Sequence, residues 1–248
     1  MAVQSILEAA APTTLPRVRR AAAVALFALA LLVAGCGSDD EGGEEAAAPK
    51  SIAEQQPPAK KGGCSQVQAP APKPDGGESK PKGRLPADTT FDVEMQTSCG
   101  AFTIRLDQKI SPATTASFAA LVRRGFFDDT VFHRIVPDFV IQGGDPTASG
   151  QGGPGYSTRD KPPSGTTYTR GVVAMAKTQV EPPGTAGSQF YVVTGQDAGL
   201  PPEYALLGKV VKGMDVTMKI DALGDPQSGG EGVPLQTVVI EKATLKEK

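Results

Sequence analysis

The stretch Val131 to Asp145, VFHRIVPDFVIQGGD, sets one His, one Arg, one Gln and two adjacent Gly among β-branched and aromatic residues. Arg134 and Gln142 lie close to apolar strand positions, where a guanidinium is costly unless something pairs with it. A surface that is apolar around one fixed cation reads as a binding site, and its chemistry is the donation of charged hydrogen bonds to an acceptor brought there. His133 is the only His in the chain. A lone imidazole offers two readings, a general base and a structural group.

Strands have to hold these residues in place. Val131, Phe132, Ile135 and Val136, followed by Phe139, Val140 and Ile141, read as two strands joined by a tight turn at Pro137-Asp138. Upstream, order begins near Thr89. Phe91, Val93 and Met95 alternate with polar residues, as do Phe102, Ile104 and Leu106 after Ser98-Cys99-Gly100, which predicts an antiparallel hairpin. Ser111-Pro112 places a capping hydroxyl before a helix-starting Pro. Phe118, Leu121 and Val122 follow at helical spacing, and Gly125 stops the helix after Arg123-Arg124, two cations at the negative end of the dipole.

Downstream, Thr147 to Arg170 is rich in Gly, Pro and Ser and reads as loop. Strands are expected at Val172 to Ala176, Gln189 to Val193, Leu206 to Val211 and Leu235 to Leu245, with a short helix near Met214 to Ile220. Pattern alone gives a mainly β, antiparallel domain with two short helices, compatible with a sandwich or a barrel.

FHRIVPDFVIQGGDP resembles the signature of the cyclophilins, the peptidyl-prolyl cis-trans isomerases, at every fixed position of the pattern. Two later segments agree in order and spacing: Gly171-Val-Val-Ala-Met-Ala176, and Gly187-Ser-Gln-Phe-Tyr191. The resemblance runs from about Thr89 to the C-terminus and implies a closed eight-stranded antiparallel β-barrel capped by two helices. It implies no cofactor and no metal. The implied partners are proline-containing segments of unfolded or newly exported proteins, bound by a monomer.

Residue by residue, the resemblance makes Arg134 the catalytic arginine, Phe139 the aromatic floor of the proline pocket, and Gln142 the amide that orients the arginine and the substrate carbonyl. Val140, Gln189 and Tyr191 would line the pocket, Tyr191 standing where the family has Phe. Met175, Ala176 and Lys177 fall on the strand whose backbone binds the residue before proline, with Lys177 where Asn is often found. Tyr204 takes the place of a pocket His, and Leu200 walls the rim where the family's Trp would stand; the chain has no Trp. His133 is structural on this reading. The alternative is a proline-recognising binding module or chaperone without significant catalysis, against which Arg134, Phe139 and Gln142 together speak.

The chain has 248 residues, 39% of them apolar, and a net charge of -2, a balance that suggests no nucleic-acid partner. Arg17-Val-Arg-Arg20 precedes an apolar run from Ala21 to Ala34, ending in Ala34-Gly35-Cys36-Gly37. Charged residues, a short apolar stretch and small residues before a cut make a secretory signal. A run this short does not span a bilayer, which takes about 20 residues as helix. Cys36 after Val33-Ala34-Gly35 looks like a bacterial lipobox, making residues 1–35 a lipoprotein signal peptide and Cys36 a lipid attachment point on the outer face of the cytoplasmic membrane; a plain secretory cut is the other reading. Residues 36–88 are Gly, Pro, Ala, Lys and Glu-rich and are expected to form a disordered tether ahead of the domain at 89–248. Cys64 and Cys99 would then meet an oxidising compartment, where a disulfide between them is reasonable.

Overall fold

The computed structural model describes residues 63–248. Residues 1–35 and Cys36 lie outside the described residues. Strands β1 (Phe91–Thr97) and β2 (Gly100–Leu106) form the expected hairpin, with Val93 opposite Ile104 and Met95 opposite Phe102. Helix α1 (Pro112–Arg123) follows, then short strands β3 (Thr130–Val131) and β4 (Arg134–Val136) and strand β5 (Val140–Gly143). The rest is β6 (Thr158–Arg159), β7 (Val172–Met175), β8 (Thr185–Ala186), β9 (Phe190–Val193), β10 (Leu206–Lys212), α2 (Met214–Asp221), a 3-10 segment Pro226–Glu231, and β11 (Val239–Glu247).

Nine strands make one antiparallel sheet in the order β3-β11-β1-β2-β10-β7-β9-β5-β4. Its end strands β3 and β4 are consecutive in the chain, interrupted only by Phe132 and His133, and Val131 also bridges to Asp145 just beyond β5. The sheet therefore curls onto itself, and with β3 and β4 taken as one broken strand it is the eight-stranded barrel. Strands β6 and β8 pair separately.

Period-2 alternation divides the strand residues between two apolar clusters. Ile135, Ile141, Val173, Met175, Phe190 and Val192 face the main core with Phe102, Phe118, Phe127 and Phe132. Val140, Val172, Ala174, Tyr191 and Val193 face outward into a second cluster with Tyr168, against which Phe139, Leu200 and Tyr204 pack. That outer cluster is the floor on which the site is built.

Several local expectations need correction. Ser111 makes no capping hydrogen bond, and its buried hydroxyl has no partner among the described residues. The first turn of α1 is satisfied from a distance: the Asp160 carboxylate, in the long loop, accepts from Thr114 N at 2.7 Å, an acidic group well placed at the positive end of the dipole. The last strand begins at Val239, not Leu235, because Leu235 N–H is committed to Leu223 O at 2.7 Å and its side chain is exposed.

Residues 63–88 also differ from a tether without fixed contacts. Cys64 and Cys99 are disulfide-bonded, Ser65 N–H donates to Ser98 O at 2.7 Å, and Leu85 packs against the main core. The stretch is too polar to fold alone. Its main-chain groups instead find partners on the finished domain, and the disulfide lowers the entropic cost of docking by restricting the undocked chain.

Candidate active site

The turn Val136-Pro137-Asp138-Phe139 closes with Phe139 N–H on Val136 O at 3.1 Å, and Asp138 takes φ 55 at its third position. This is type II geometry, with Pro at the second position where its fixed φ suits the turn. The Asp221 carboxylate of α2 accepts Asp138 N–H at 3.1 and 3.2 Å, which ties the turn to the helix. The register that results puts Arg134 directly opposite Gln142 and Ile135 opposite Ile141. Ile135 and Ile141 point inward, so Arg134 and Gln142 point outward.

The Arg134 guanidinium is held mainly by a main-chain carbonyl. Gly230 O accepts from Nε at 3.0 Å and from Nη2 at 2.8 Å. Among the described residues no carboxylate pairs with it. Its Cζ stands 5.9 Å from the Phe139 ring centroid, within cation–π range. Burial pushes the Arg134 pKa below the usual arginine value, with the nearby Tyr204 opposing; the side chain nonetheless stays charged, since guanidinium pKa values lie far above neutral pH. Of five N–H donors, those on Nη1 are the least engaged.

The neighbouring amides are oriented by their partners. Gln189 Nε2 donates to Gly150 O and Gly152 O, both at 3.0 Å. Two carbonyls admit only the amide nitrogen, so Gln189 Oε1 must accept, and it does so from Gln142 Nε2 at 3.0 Å. Gln142 Oε1 is thereby turned to Arg134 Nη1, 3.5 Å away. Gln142 Nε2 also stands 3.5 Å from His133 Nε2, which favours the unprotonated state of that nitrogen. Burial depresses the His133 pKa; the Asp145 charge opposes this and the Arg134 charge assists. A neutral imidazole wedged between amide and loop is a spacer.

Asp145 is fully buried. Burial alone would raise its pKa, but hydrogen bonds from Thr147 N–H and hydroxyl, and from the amides of Gly152 and Gly150, bring it below the usual carboxylate value. Thr147 N–H and Oγ1 lie 2.8 Å from Oδ1, and Gly150 N–H lies 2.5 Å from Oδ2. The GGD end of the motif thus folds the loop beyond β5. Gly144, at φ +86, lies where a Cβ would stand 2.6 Å from Ser188 O, a position only Gly fits.

A cavity of about 330 Å³ opens beside the guanidinium, lined by Arg134, Phe139, Val140, Gln142, Ala176, Lys177, Gln179, Tyr191, Leu200 and Tyr204. Nine of these are the expected site residues, gathered from β4, β5, β9, the stretch that follows β7 and the loops beside them. A second cavity of about 320 Å³ adjoins it, shares Gln142, Ala176 and Lys177, and takes in Gln189, Gly150, Gly152 and Asp75. A larger cavity, about 860 Å³, lies against β2 and β10 and contains none of these residues. Chemistry and not volume identifies the site.

Met175 does not join the pocket. It is 1% exposed and packs in the main core opposite the site face; strand alternation assigns Ala174 and Ala176 to the outside and Met175 to the inside. Ala176 N–H donates to Gln189 O at 2.9 Å. Lys177 contributes more than backbone: its Nζ lies 3.1 Å from Glu203 Oε2 and 5.4 Å from the Tyr204 centroid, roofing the cavity edge. Tyr204 is fixed by two bonds with Tyr168, whose hydroxyl donates to Tyr204 O at 2.7 Å and accepts Tyr204 N–H at 3.0 Å; burial raises the Tyr168 pKa to about 12. Gly230 and Gln179 escaped the sequence reading. A main-chain carbonyl carries no residue type, and only the Gly229-Gly230 pair hints at an unusual backbone there.

The family model described as cyclophilin type peptidyl-prolyl cis-trans isomerase/CLD matches residues 92–245. The chain belongs to this family. It is 36% identical over 163 residues to "Peptidyl-prolyl cis-trans isomerase-like 1" of Gibberella zeae, covering 64% of this chain and 97% of the relative. Against the protein of the same name from Neurospora crassa it is 40% identical, covering 62% and 93%. "Probable peptidyl-prolyl cis-trans isomerase B" of Mycobacterium leprae is 37% identical over 66% of this chain and 60% of that protein. A crystal structure of a cyclophilin type isomerase from Cryptosporidium parvum superimposes with a TM-score of 0.57 at 27% identity, covering 64% of this chain and 99% of that one. The same protein has been crystallised in the presence of the dipeptide Ala-Pro. The barrel is a cyclophilin fold, and the chain is a peptidyl-prolyl cis-trans isomerase.

Proposed function

We propose that Arg134 accelerates X-Pro isomerisation by donating to the prolyl nitrogen as the peptide bond twists, and that the substrates are proline segments of unfolded or newly exported proteins. The barrier of about 18 to 20 kcal/mol comes from amide resonance. Loss of resonance at the twisted state restores the nitrogen lone pair, so a donor placed there binds the transition state better than either ground state. A charged hydrogen bond contributes about 1.5 to 3 kcal/mol, or about one to two powers of ten in rate. Desolvation over the Phe139 floor and grip on the flanking chain supply the rest.

The single observation that carries this reading is the Arg134 guanidinium, anchored on Gly230 O without a carboxylate partner among the described residues, at the wall of a cavity that Phe139, Val140 and Leu200 share with it. A structural ion pair would instead neutralise the charge that a hydrogen bond to the prolyl nitrogen needs. Isomerisation of a short Ala-Pro peptide by the intact chain, followed by exchange NMR, tests it: exchange should be enhanced by the unmodified protein and not by Arg134→Ala.

Action outside the cytoplasmic membrane rests on the segment ending in Ala34-Gly35-Cys36, with a lipid on Cys36 as the anchor. Cys36→Ser should leave an unprocessed or soluble form. A processed species of normal size that still partitions with membranes would overturn the anchor. Stable attachment takes more than one acyl chain.

A further inference from the structure

Residues Lys73–Glu78 precede the barrel in sequence, yet they lie along the loop that borders the active centre. Lys73 N–H donates to Pro146 O at 2.8 Å, Gly76 N–H to Gly153 O at 2.9 Å and Glu78 N–H to Pro154 O at 3.1 Å. Asp75 Oδ1 accepts Gly153 N–H at 2.8 Å. The two stretches meet so closely that a Cβ on Gly155 would stand 3.1 Å from Gly76 Cα. Side chains extend the seam: the Lys73 ammonium donates to the carbonyls of Phe126 and Asp128, and Arg124 Nη1 to Glu78 Oε2 at 2.8 Å. The disulfide between Cys64 and Cys99 and the entry into β1 fix both ends.

The loop beneath is Ser149-Gly-Gln-Gly-Gly-Pro-Gly155, a sequence with much conformational freedom to lose. Its carbonyls at Gly150 and Gly152 are nevertheless the groups that orient Gln189, which orients Gln142, whose Oε1 faces Arg134. The buried Asp145 carboxylate braces the loop from one side. Lys73–Glu78 braces it from the other side, and Gly152 O, which Gln189 uses, shares one peptide unit with Gly153 N–H, which Asp75 holds.

We propose that Lys73–Glu78 is a positioning strap for the active centre, which sets the orientation of Gln142 and Arg134 through Gly150, Gly152 and Gln189. The inference rests on the reading of Arg134 given above. Undocking the strap leaves the apolar walls in place and loosens the donor, so turnover falls while peptide binding is kept.

Gly76→Pro undocks it selectively: Pro has no N–H for Gly153 O and cannot adopt the φ of +73 found there. Gly83→Ala, with nothing within 4 Å of the added Cβ, is the matched control. In the full chain with its disulfide formed, Gly76→Pro should lower kcat on an Ala-Pro peptide by about fivefold or more, with KM held within about twofold, and should shift the side-chain amide NMR signals of Gln142 and Gln189. The control should match the unmodified protein in both. Unmoved amide signals, or unchanged kcat with moved signals, overturns the strap. Full turnover in Arg134→Ala defeats the reading of Arg134 instead, and the amide signals of Gly76→Pro then decide whether the strap positions Gln142.

Discussion

Arg134 and Gln142 stand directly opposite one another on the β4–β5 ladder, and their side chains meet on its outer face with Nη1 3.5 Å from Oε1. The contact is too long to anchor a guanidinium; the anchor is Gly230 O, at 2.8 and 3.0 Å. Gln142 directs the free edge of the arginine without consuming it. Gln142→Ala should therefore cost about tenfold or less in turnover. Gln142→Glu should cost more, because a carboxylate would pair with the very N–H groups the substrate needs. Equal activity of the two variants would show that Nη1 is not the working edge.

Tyr191 is 4% exposed and its hydroxyl has no hydrogen-bond partner among the described residues. Burial accordingly pushes its pKa far above the usual phenol value, the charges of Tyr168 and Tyr204 adding to it. A buried unsatisfied hydroxyl costs about 1 to 3 kcal/mol. Tyr191→Phe should raise the stability of the domain by about 1 kcal/mol in denaturant unfolding and leave turnover unchanged. A loss of stability would reveal a partner for the hydroxyl.

What could be read from the sequence was whatever residue type and period encode. The 91–106 hairpin, the outward-facing Arg134 and Gln142 and the Phe139 floor all follow from alternation or from the motif. Alternation between Ala174 and Ala176 points the Met175 side chain inward, so only its backbone faces the site strand's neighbours. The sequence points to Ser111, next in the chain, as the helix cap, while the group that serves is Asp160, distant in sequence. Gly230 O and the 63–88 segment act through main-chain groups, which every residue possesses, so their partners become visible only once the chain is folded.

The disulfide closes a loop with a sequence separation of 35. On the chain-entropy model such a closure contributes about 3 to 4 kcal/mol. Unfolding of the oxidised chain in denaturant should therefore have a clearly higher midpoint than unfolding in the presence of a dithiol reductant. Coincident midpoints would mean that docking of residues 63–88 holds without the covalent link.

Stability should fall in two stages on acidification. The folded pKa of His133 lies below its ordinary value of 6.5, so the unfolded chain takes up that proton first. Its contribution is complete above about pH 6.5 and is lost as pH falls toward the lowered folded value. The carboxyls of Asp92 and Asp145 are likewise depressed below 3.8, Asp92 chiefly through its bond to Arg105 with burial opposing, and Asp145 by its loop amides against burial. Their contributions are present above about pH 3.8 and vanish below it. In His133→Gln the first stage should disappear and the second remain. An unaltered loss in that variant as pH falls below 6.5, ahead of the carboxylate stage, would place the responsible proton elsewhere.

The most direct test of the account compares turnover with affinity at Arg134. If the guanidinium acts on the twisted bond, Arg134→Ala should lower kcat for an Ala-Pro peptide by about one to two powers of ten or more, with the fold intact and peptide Kd changed far less. Arg134→Lys should rescue only in part, since an ammonium lacks the planar fork that can rest on Gly230 O and still present an N–H to the prolyl nitrogen. Near-normal kcat in folded Arg134→Ala, or a loss confined to Kd, would contradict the central claim.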